Sequence, residues 1–415
     1  MTHGHHGHDD GDLLPWEEYR RRILDTIQPL PPLELPLREA FGCVLAEEVR
    51  AGDDIPSFTS SGMDGFAVRA EDVAEANESR PAVLAIAGEV EMGRPPEHGV
   101  EPGRAVRIPT GGAVPDGADC VVPIEDCRVE DSRVLVLRPV PAGRHVRPAG
   151  QDVRAGDVLL EAGTRLLGPQ LGLLTSAGHG TARVHPVAHV LVASTGDELV
   201  ELGEPAELGQ IYDANGLTLY GAVREAGADP LAGGIVRDEP EALRRIAQNA
   251  FADAFVTSGG VSVGERDPVK AAFREDGEVQ FFRLAMQPGM PQAFGRLDGR
   301  PFFGLPGNPV SVFVSFELFV RPALLALMGR RDLFRPEVSS RLEDDIEGLP
   351  RKTRFARVLV RRSDEGFLAA PTGGPQSNLL STVARANGLA IIPAGTEVLR
   401  AGEECRVMLI GDVEG

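Results

Sequence analysis

The chain has 415 residues, 42% of them hydrophobic and 25% charged, with a formal net charge of −20. At about 150 residues per domain, that length implies two to four ordinary globular domains. The acidic balance excludes a sequence-independent nucleic-acid binder, because neutralising phosphates needs an excess of Lys and Arg. Any anion site must therefore be local, made of backbone N–H groups, a few basic side chains or a bound cation. Cys43, Cys120, Cys127 and Cys405 form no CxxC pair and read as reduced thiols, not a disulfide framework or zinc site. No apolar run reads as a membrane span and the start lacks a signal-peptide core, so a cytoplasmic protein with no membrane partner is expected.

The start, MTHGHHGHDDGD, holds His3, His5, His6 and His8. Such a tract binds nickel or zinc in solution, and residues 1–12 are expected to be a disordered tail outside the chemistry. Residues 14–24 have the periodicity of a short amphipathic helix, and prolines at 29–36 force an extended connection. A second amphipathic helix is expected at 37–49, with Leu37, Ala40, Phe41, Val44 and Leu45 on one face. Residues 55–140 are short β-prone runs between Gly, Pro and Asp turns, the pattern of a small antiparallel module. Residues 141–185 return to mixed character, with a helix at 168–178. The expected arrangement is one α/β domain made of 13–54 and 141–185, interrupted by a β-rich insertion at 55–140.

From 186 the rhythm becomes strand, loop, helix. AHVLVAS (188–194) is apolar without alternation, as in a strand buried on both faces. Helices are expected at 213–227, closed by Gly227, after Asp238 as N-cap with Pro240 in the first turn, from near Asp267, and at 309–328. Strands are expected at 230–236, 254–256 and 279–284, and before the loop PGNP. Repeated βα units imply a doubly wound, mostly parallel α/β sheet over 186–330. β-prone runs return over 331–415, where a barrel-like β domain is expected, so the whole chain is a multidomain mixture of α+β and α/β parts.

Ligands of an open parallel sheet bind beyond the carboxyl ends of its strands. The loops there are Thr195-Gly196-Asp197-Glu198, Arg237-Asp238, Ser258-Gly259-Gly260-Val261-Ser262-Val263-Gly264-Glu265-Arg266-Asp267 and Pro306-Gly307-Asn308-Pro309-Val310-Ser311. Glycines let backbone N–H groups approach an anion, and helix N-termini carry positive dipole ends. Carboxylates beside a phosphate repel it unless a cation bridges them, so Glu198, Asp238 and Asp267 imply Mg²⁺. Each residue alone has a plainer role: Asp238 and Asp267 as helix caps, the glycines as turns. Neither GxxxxGK[ST] nor GxGxxG is present, which weakens ATPase and dinucleotide readings.

STGDEL (194–199), GIVRD (234–238), SGGVSVGERD (258–267) and GLPGNPVS (304–311), with SSGMDGFAVR (60–69) and RIPTGGAVPDGADCVVPIED (107–126) upstream, resemble the MoeA family of molybdopterin molybdenumtransferases. That family includes the E domain of gephyrin. The resemblance covers nearly everything after the His-rich start. It implies a substrate, adenylylated molybdopterin, from which AMP is released as molybdate is inserted with Mg²⁺, in a homodimer working beside other cofactor-biosynthesis proteins. It also implies roles for Asp64, Thr110 and Asp152, supplied from the neighbouring subunit, besides Glu198, Asp238 and Asp267. One departure stands out: where many relatives carry Lys-Pro-Gly-Lys-Pro, this chain has Gln287-Pro288-Gly289-Met290-Pro291, so two positive charges are missing. Arg351, Lys352, Arg354 and Arg357 are candidates to replace them, and Ser377 and Ser381 match a family serine near molybdate. The alternatives are a non-catalytic scaffold or cofactor carrier, motivated by that departure, and a molybdopterin adenylyltransferase, disfavoured because its relatives typically carry a GGTG loop.

Overall fold

In a computed structural model of the protein, residues 13–237, 245, 251–261 and 279–413 are described. The His-rich start, the helix expected after Asp238 and the helix expected near Asp267 lie outside the described residues. The chain divides into two compact units, Leu35–Phe41 with Glu47–Ala182, and Met1–Glu34 with Gly42–Ala46 and Arg183–Gly415.

In the larger unit the apolar run at 188–194 becomes β1, His189–Thr195. Around it stand β2 (Asp229–Val236), β3 (Ala254–Ser258), β4 (Val279–Arg283), β5 (Pro291–Leu297) and β6 (Arg300–Leu305), in the order β2-β1-β3-β6-β5-β4. The first four strands in that order are parallel, as expected of βα units, while β5 and β4 add an antiparallel edge. The antiparallel β5–β6 hairpin was not foreseen in the sequence, because Phe, Gly and Pro dominate it without clean alternation. Val190, Val192, Ala254, Val256, Phe303 and Leu305 fill one face of the sheet. Leu191, Ala193, Phe255 and Phe302 fill the other, the two-sided burial that a parallel sheet demands.

Helix α1 (Trp16–Thr26) buries Trp16, Tyr19 and Ile23, spaced to share one face. Its Tyr19 ring meets Phe319 and Phe282 at 4.9 Å each, and Trp16 meets Phe355 edge-on at 5.3 Å. Helix α2 (Ala214–Glu225) is capped by Asp213 and ends before Gly227, whose φ of +86° suits glycine. Helix α3 (Pro309–Leu327) contains a π-helical turn at Phe316–Val320. Contrary to the sequence expectation, α3 is long and apolar enough to cross a bilayer, but 83% of its 18-residue apolar stretch is buried inside the protein. Its apolarity is that of a core helix packed against the sheet.

The C-terminal strands β7 (Glu337–Leu342), β8 (Thr353–Ser363), β9 (Gly366–Pro371), β10 (Gly388–Ile392) and β11 (Glu404–Leu409) run in the order β8-β9-β7-β11-β10. Pairing of β10 back to β8 closes them into a five-stranded barrel, as expected. Its centre is filled by Val358, Val360, Ala369, Ala390, Ile392 and Val407.

The smaller unit holds a six-stranded sheet in which Ala82–Glu89 and Arg104–Ile108 pair in parallel and the other pairings are antiparallel. The helix expected at 168–178 forms as Gly168–Ser176. The amphipathic helix expected at 37–49 does not form. Gly42 sits at φ +82°, Val44–Leu45 pairs with His185 and Val184, and Val49–Arg50 pairs with Leu160 and Val158. Strand pairing of the β-branched residues wins over a helical periodicity that Gly42 already weakens, and Phe41 is left exposed. All four cysteines are free, and burial pushes the Cys405 thiol up to about 11.

Candidate functional site

The parallel register sets Ser194 of β1 opposite Ser258 of β3, and Thr257 of β3 opposite Gly304 of β6. Three loops therefore leave the sheet side by side at its carboxyl edge. At the end of β1, Thr195 is buried and its hydroxyl donates to the Ser258 carbonyl at 3.3 Å. Gly196 has φ +153°, which favours glycine, and the exposed Glu198 carboxylate lies beside it at the strand end. A Cβ on Gly259 would come 2.5 Å from the Thr195 carbonyl, and Gly259 has φ +85°. The Gly259 N–H donates to the Leu305 carbonyl at 3.0 Å, which ties the β3 loop to the β6 loop. Gly307 and Asn308 are exposed just before Pro309 opens α3, and Ser311 is buried in its first turn. Thr195, Gly196, Glu198, Ser258, Gly259, Gly260, Pro306, Gly307, Asn308, Pro309 and Ser311 thus all belong to this one edge. Asp238, Ser262, Gly264 and Asp267 lie outside the described residues.

Three residues at this edge escaped the sequence reading. The Asp213 carboxylate caps α2, accepting from the Gly216 N–H at 2.9 Å, and accepts from the Ser194 hydroxyl at 2.8 Å. Ser258 in turn donates to Ser194 at 3.1 Å. The Asn215 side-chain amide donates to the Gly307 carbonyl at 2.7 Å. The signal available was the Asp-Ala-Asn-Gly run, whose first residue reads as a cap but whose reach across the sheet depends on register.

The second cluster forms where the barrel meets the sheet within the same unit. Met286–Gln287 pairs in parallel with Thr353–Arg354, which places Gln287 opposite Arg354. Pro288 is buried, and Gly289 at φ +98° leaves room where a Cβ would lie 2.9 Å from the Ser315 hydroxyl. Gln292 donates to the Gly289 carbonyl at 2.7 Å and to Ser315 at 2.6 Å, holding the turn that carries Met290 and Pro291. The Ser377 carbonyl accepts from the Val310 N–H at 3.1 Å, so the barrel loop closes on the first turn of α3. Arg354 and Arg357 are buried on β8. Arg354 donates to the Glu347 carbonyl; Arg357 donates to the Thr382 hydroxyl at 3.0 Å and the Gly374 carbonyl at 2.5 Å. Both line a cavity of about 310 Å³, with Asp345 and Glu347 on its wall. Asp345 is already engaged by Arg400 and the Ala401 N–H. Burial lowers the pKa of both guanidiniums, and for Arg357 the charge of Arg354 adds to the effect. Two buried like charges beside a cavity form an arrangement that an oxyanion would relieve.

In the smaller unit Asp64 and Thr110 are together. The Thr110 N–H donates to the Asp64 carboxylate at 2.6 Å, and this bond with that from the Thr110 hydroxyl holds the Asp64 carboxyl below its ordinary range. The turn needs Gly65, since a Cβ there would lie 1.9 Å from the Val122 carbonyl. Asp152 is exposed on a separate turn, its N–H bonded to the Ile55 carbonyl at 3.0 Å.

Residues 14–178 match the family model of the MoeA N-terminal region (domain I and II), 191–326 that of a probable molybdopterin binding domain, and 339–410 that of the MoeA C-terminal region (domain IV). The chain is 38% identical over 399 residues to molybdopterin molybdenumtransferase 2 of Mycobacterium tuberculosis (strain ATCC 25618 / H37Rv), covering 94% of this chain and 98% of that protein. It is 32% identical over 409 residues to the molybdopterin molybdenumtransferase of Bacillus subtilis (strain 168), covering 97% and 95%. A crystal structure of the molybdopterin biosynthesis MoeA protein from Pyrococcus horikosii superposes with a TM-score of 0.81 at 33% identity, covering 97% of this chain and 100% of that one. With likeness of that extent along the whole chain, and with the strand-end loops and barrel closed on one helix, the chain belongs to the MoeA family.

Proposed function

We propose that this protein is a molybdopterin molybdenumtransferase that inserts molybdate into adenylylated molybdopterin and releases AMP. The observation that carries the reading is the gathering of the Thr195, Ser258 and Pro306 loops on one sheet edge, joined at Val310 and Ser377 to the barrel that carries the buried Arg354–Arg357 pair. The loops suit a pyrophosphate, with backbone N–H groups at Gly260 and Gly307 and the α3 dipole nearby. The arginine pair suits a tetrahedral dianion, supplying the charge that Gln287 and Met290 do not. Ser377 would lie between the two halves, since its carbonyl already meets the start of α3.

Mg²⁺ belongs to the same proposal. Among the described residues no three His, Cys, Asp or Glu side chains gather as a metal set. Glu198 alone of its three expected ligands is described, and its exposed carboxylate at the strand end fits a hard cation as one oxygen donor. Mg²⁺ there would neutralise pyrophosphate charge, with Asp238 and Asp267 as the further ligands. The chain's own part is to hold the phosphates on loop N–H groups and to align the oxyanion.

Asp64, Thr110 and Asp152 are proposed to complete the cleft from the neighbouring subunit of a cytoplasmic homodimer. Leu202, Leu208, Ile211, Tyr212 and Leu217 are exposed in one stretch of the larger unit, an apolar surface suited to burial against a second copy. The domain division drawn from the sequence goes with this reading. Incubating the purified chain with adenylylated molybdopterin, Mg²⁺ and molybdate tests it: AMP and active cofactor are the expected products. Binding without turnover would favour the scaffold reading that Gln287 and Met290 motivate, and ATP consumption with free molybdopterin would favour adenylylation.

A further inference from the structure

The geometry points to Asp213, Ser194 and Asn215 as positioning residues that hold the three strand-end loops as one nucleotide cradle. Ser258 donates to Ser194, and Ser194 donates to the Asp213 carboxylate, which also caps α2. One carboxylate thereby fixes the ends of β1 and β3 to the first turn of a helix. Two residues further on, Asn215 reaches the opposite loop and donates to the Gly307 carbonyl. Gly259, immediately after Ser258, donates to the Leu305 carbonyl, and so completes a ring of contacts through Asp213, Ser194, Ser258, the Gly259 backbone, the 305–307 loop and Asn215.

Several features show a built device and not chance contact. Ser194 and Ser258 are both buried, so their hydroxyls have no solvent to turn to, and a broken link leaves an unsatisfied polar group. The carbonyl of Gly307 is turned toward Asn215, so the N–H of the same trans peptide, that of Asn308, points the other way. A phosphate site depends on that orientation, because carbonyls turned inward would repel it. None of the three side chains needs to touch substrate. Each acts through the backbone of Ser258–Gly260 or Leu305–Asn308, and an error of about 1 Å there is costly to catalysis. The inference rests on the functional reading given above, and deepens it by saying what keeps that cradle in shape.

The test compares full-length wild type with Asn215→Ala, Ser194→Ala and Asp213→Asn. The readouts are KM and kcat for AMP release from adenylylated molybdopterin, AMP affinity by calorimetry, and amide hydrogen exchange over 258–260 and 305–308. Asn215→Ala and Ser194→Ala are expected to raise KM and the AMP Kd about tenfold, one lost hydrogen bond's worth, with a smaller fall in kcat. Exchange in both loops should quicken. Asp213→Asn keeps an oxygen acceptor for Ser194 and Gly216 and should stay near wild type. Unchanged KM and AMP affinity in Asn215→Ala, or unchanged exchange at 305–308, would overturn the inference. Asn215 is partly exposed, so its variant folds even if the buried Ser194→Ala does not. A wild-type chain that releases no AMP would instead sink the functional reading, and the present inference with it.

Discussion

The two halves of the proposed cleft are built by different means. The strand-end half is local: each loop follows its strand directly, and Gly259 is where the backbones of two loops come close. The barrel half is assembled across distance, from Gln287 pairing with Arg354 and from Ser377 closing on Val310. Mutations in the first half should change ligand affinity with little change in fold. Mutations in the second should couple chemistry to how the barrel is held.

The sharpest test of that difference is Glu317. It is buried on the π turn of α3, and its two carboxylate oxygens accept from Arg335 at 2.9 and 3.0 Å, just before β7. The pair pins the connection into the barrel to the helix whose start lies in the cleft. Glu317→Ala removes the carboxylate paired with Arg335 and lying 4.0 Å from Arg321, and should destabilise the protein by about 3–5 kcal/mol. Urea unfolding measures the loss. If the comparison holds, at urea concentrations short of unfolding molybdate dependence weakens before AMP affinity does; an equal loss of both would break it.

Arg357 gives the next largest effect. Hydrogen bonds from a charged group contribute about 1.5–3 kcal/mol, so Arg357→Ala should lower kcat/KM for molybdate roughly 10- to 100-fold. AMP affinity should barely move. A fall in AMP affinity as large as the loss with molybdate would mean that the arginine pair serves the nucleotide instead.

The unequal legibility of the halves has a physical origin. Thr195–Glu198, Ser258–Gly260 and Pro306–Ser311 were readable because strand-loop-helix chemistry is contiguous in the chain. Ser194, Asp213 and Asn215 were not, since their meeting depends on parallel register. The cavity beside Arg354 and Arg357 was hidden for the same reason: a basic run on a barrel strand looks like a solvated face until the loops fold over it. The expected 37–49 helix failed because amphipathic spacing cannot distinguish a helical face from short strands pairing with remote segments.

The double substitution Gln287→Lys with Met290→Lys asks whether the barrel half already has its charge. Gln287 is exposed, and an added surface charge contributes about 0–1 kcal/mol. If Arg354 and Arg357 supply the positive field, the lysines should change the molybdate-dependent rate by less than about threefold, by that same scale. A tenfold or larger gain would show that the native corner is deficient, and would support the scaffold reading.

The smallest effect is expected at Asp64, which tests whether a sequence-legible turn behaves as independently as the strand-end loops do. Hydrogen bonds from Thr110 hold its carboxyl below the ordinary range. A depressed carboxylate keeps its bonds as pH falls through the usual range near 3.9, and gives them up only lower, when it protonates at its own value. The contact should therefore be constant from neutral pH through the ordinary carboxylate range and lost below it. The Thr110 amide resonance, followed by NMR, should titrate with a midpoint under that reference. In Asp64→Asn the titration should vanish while the Gly65 turn persists, because that turn is set by the close approach to Val122 and not by the charge. A midpoint at or above the reference would mean that the Asp64–Thr110 contact is not held in solution, and the case for Asp64 as a site residue would lose its structural support.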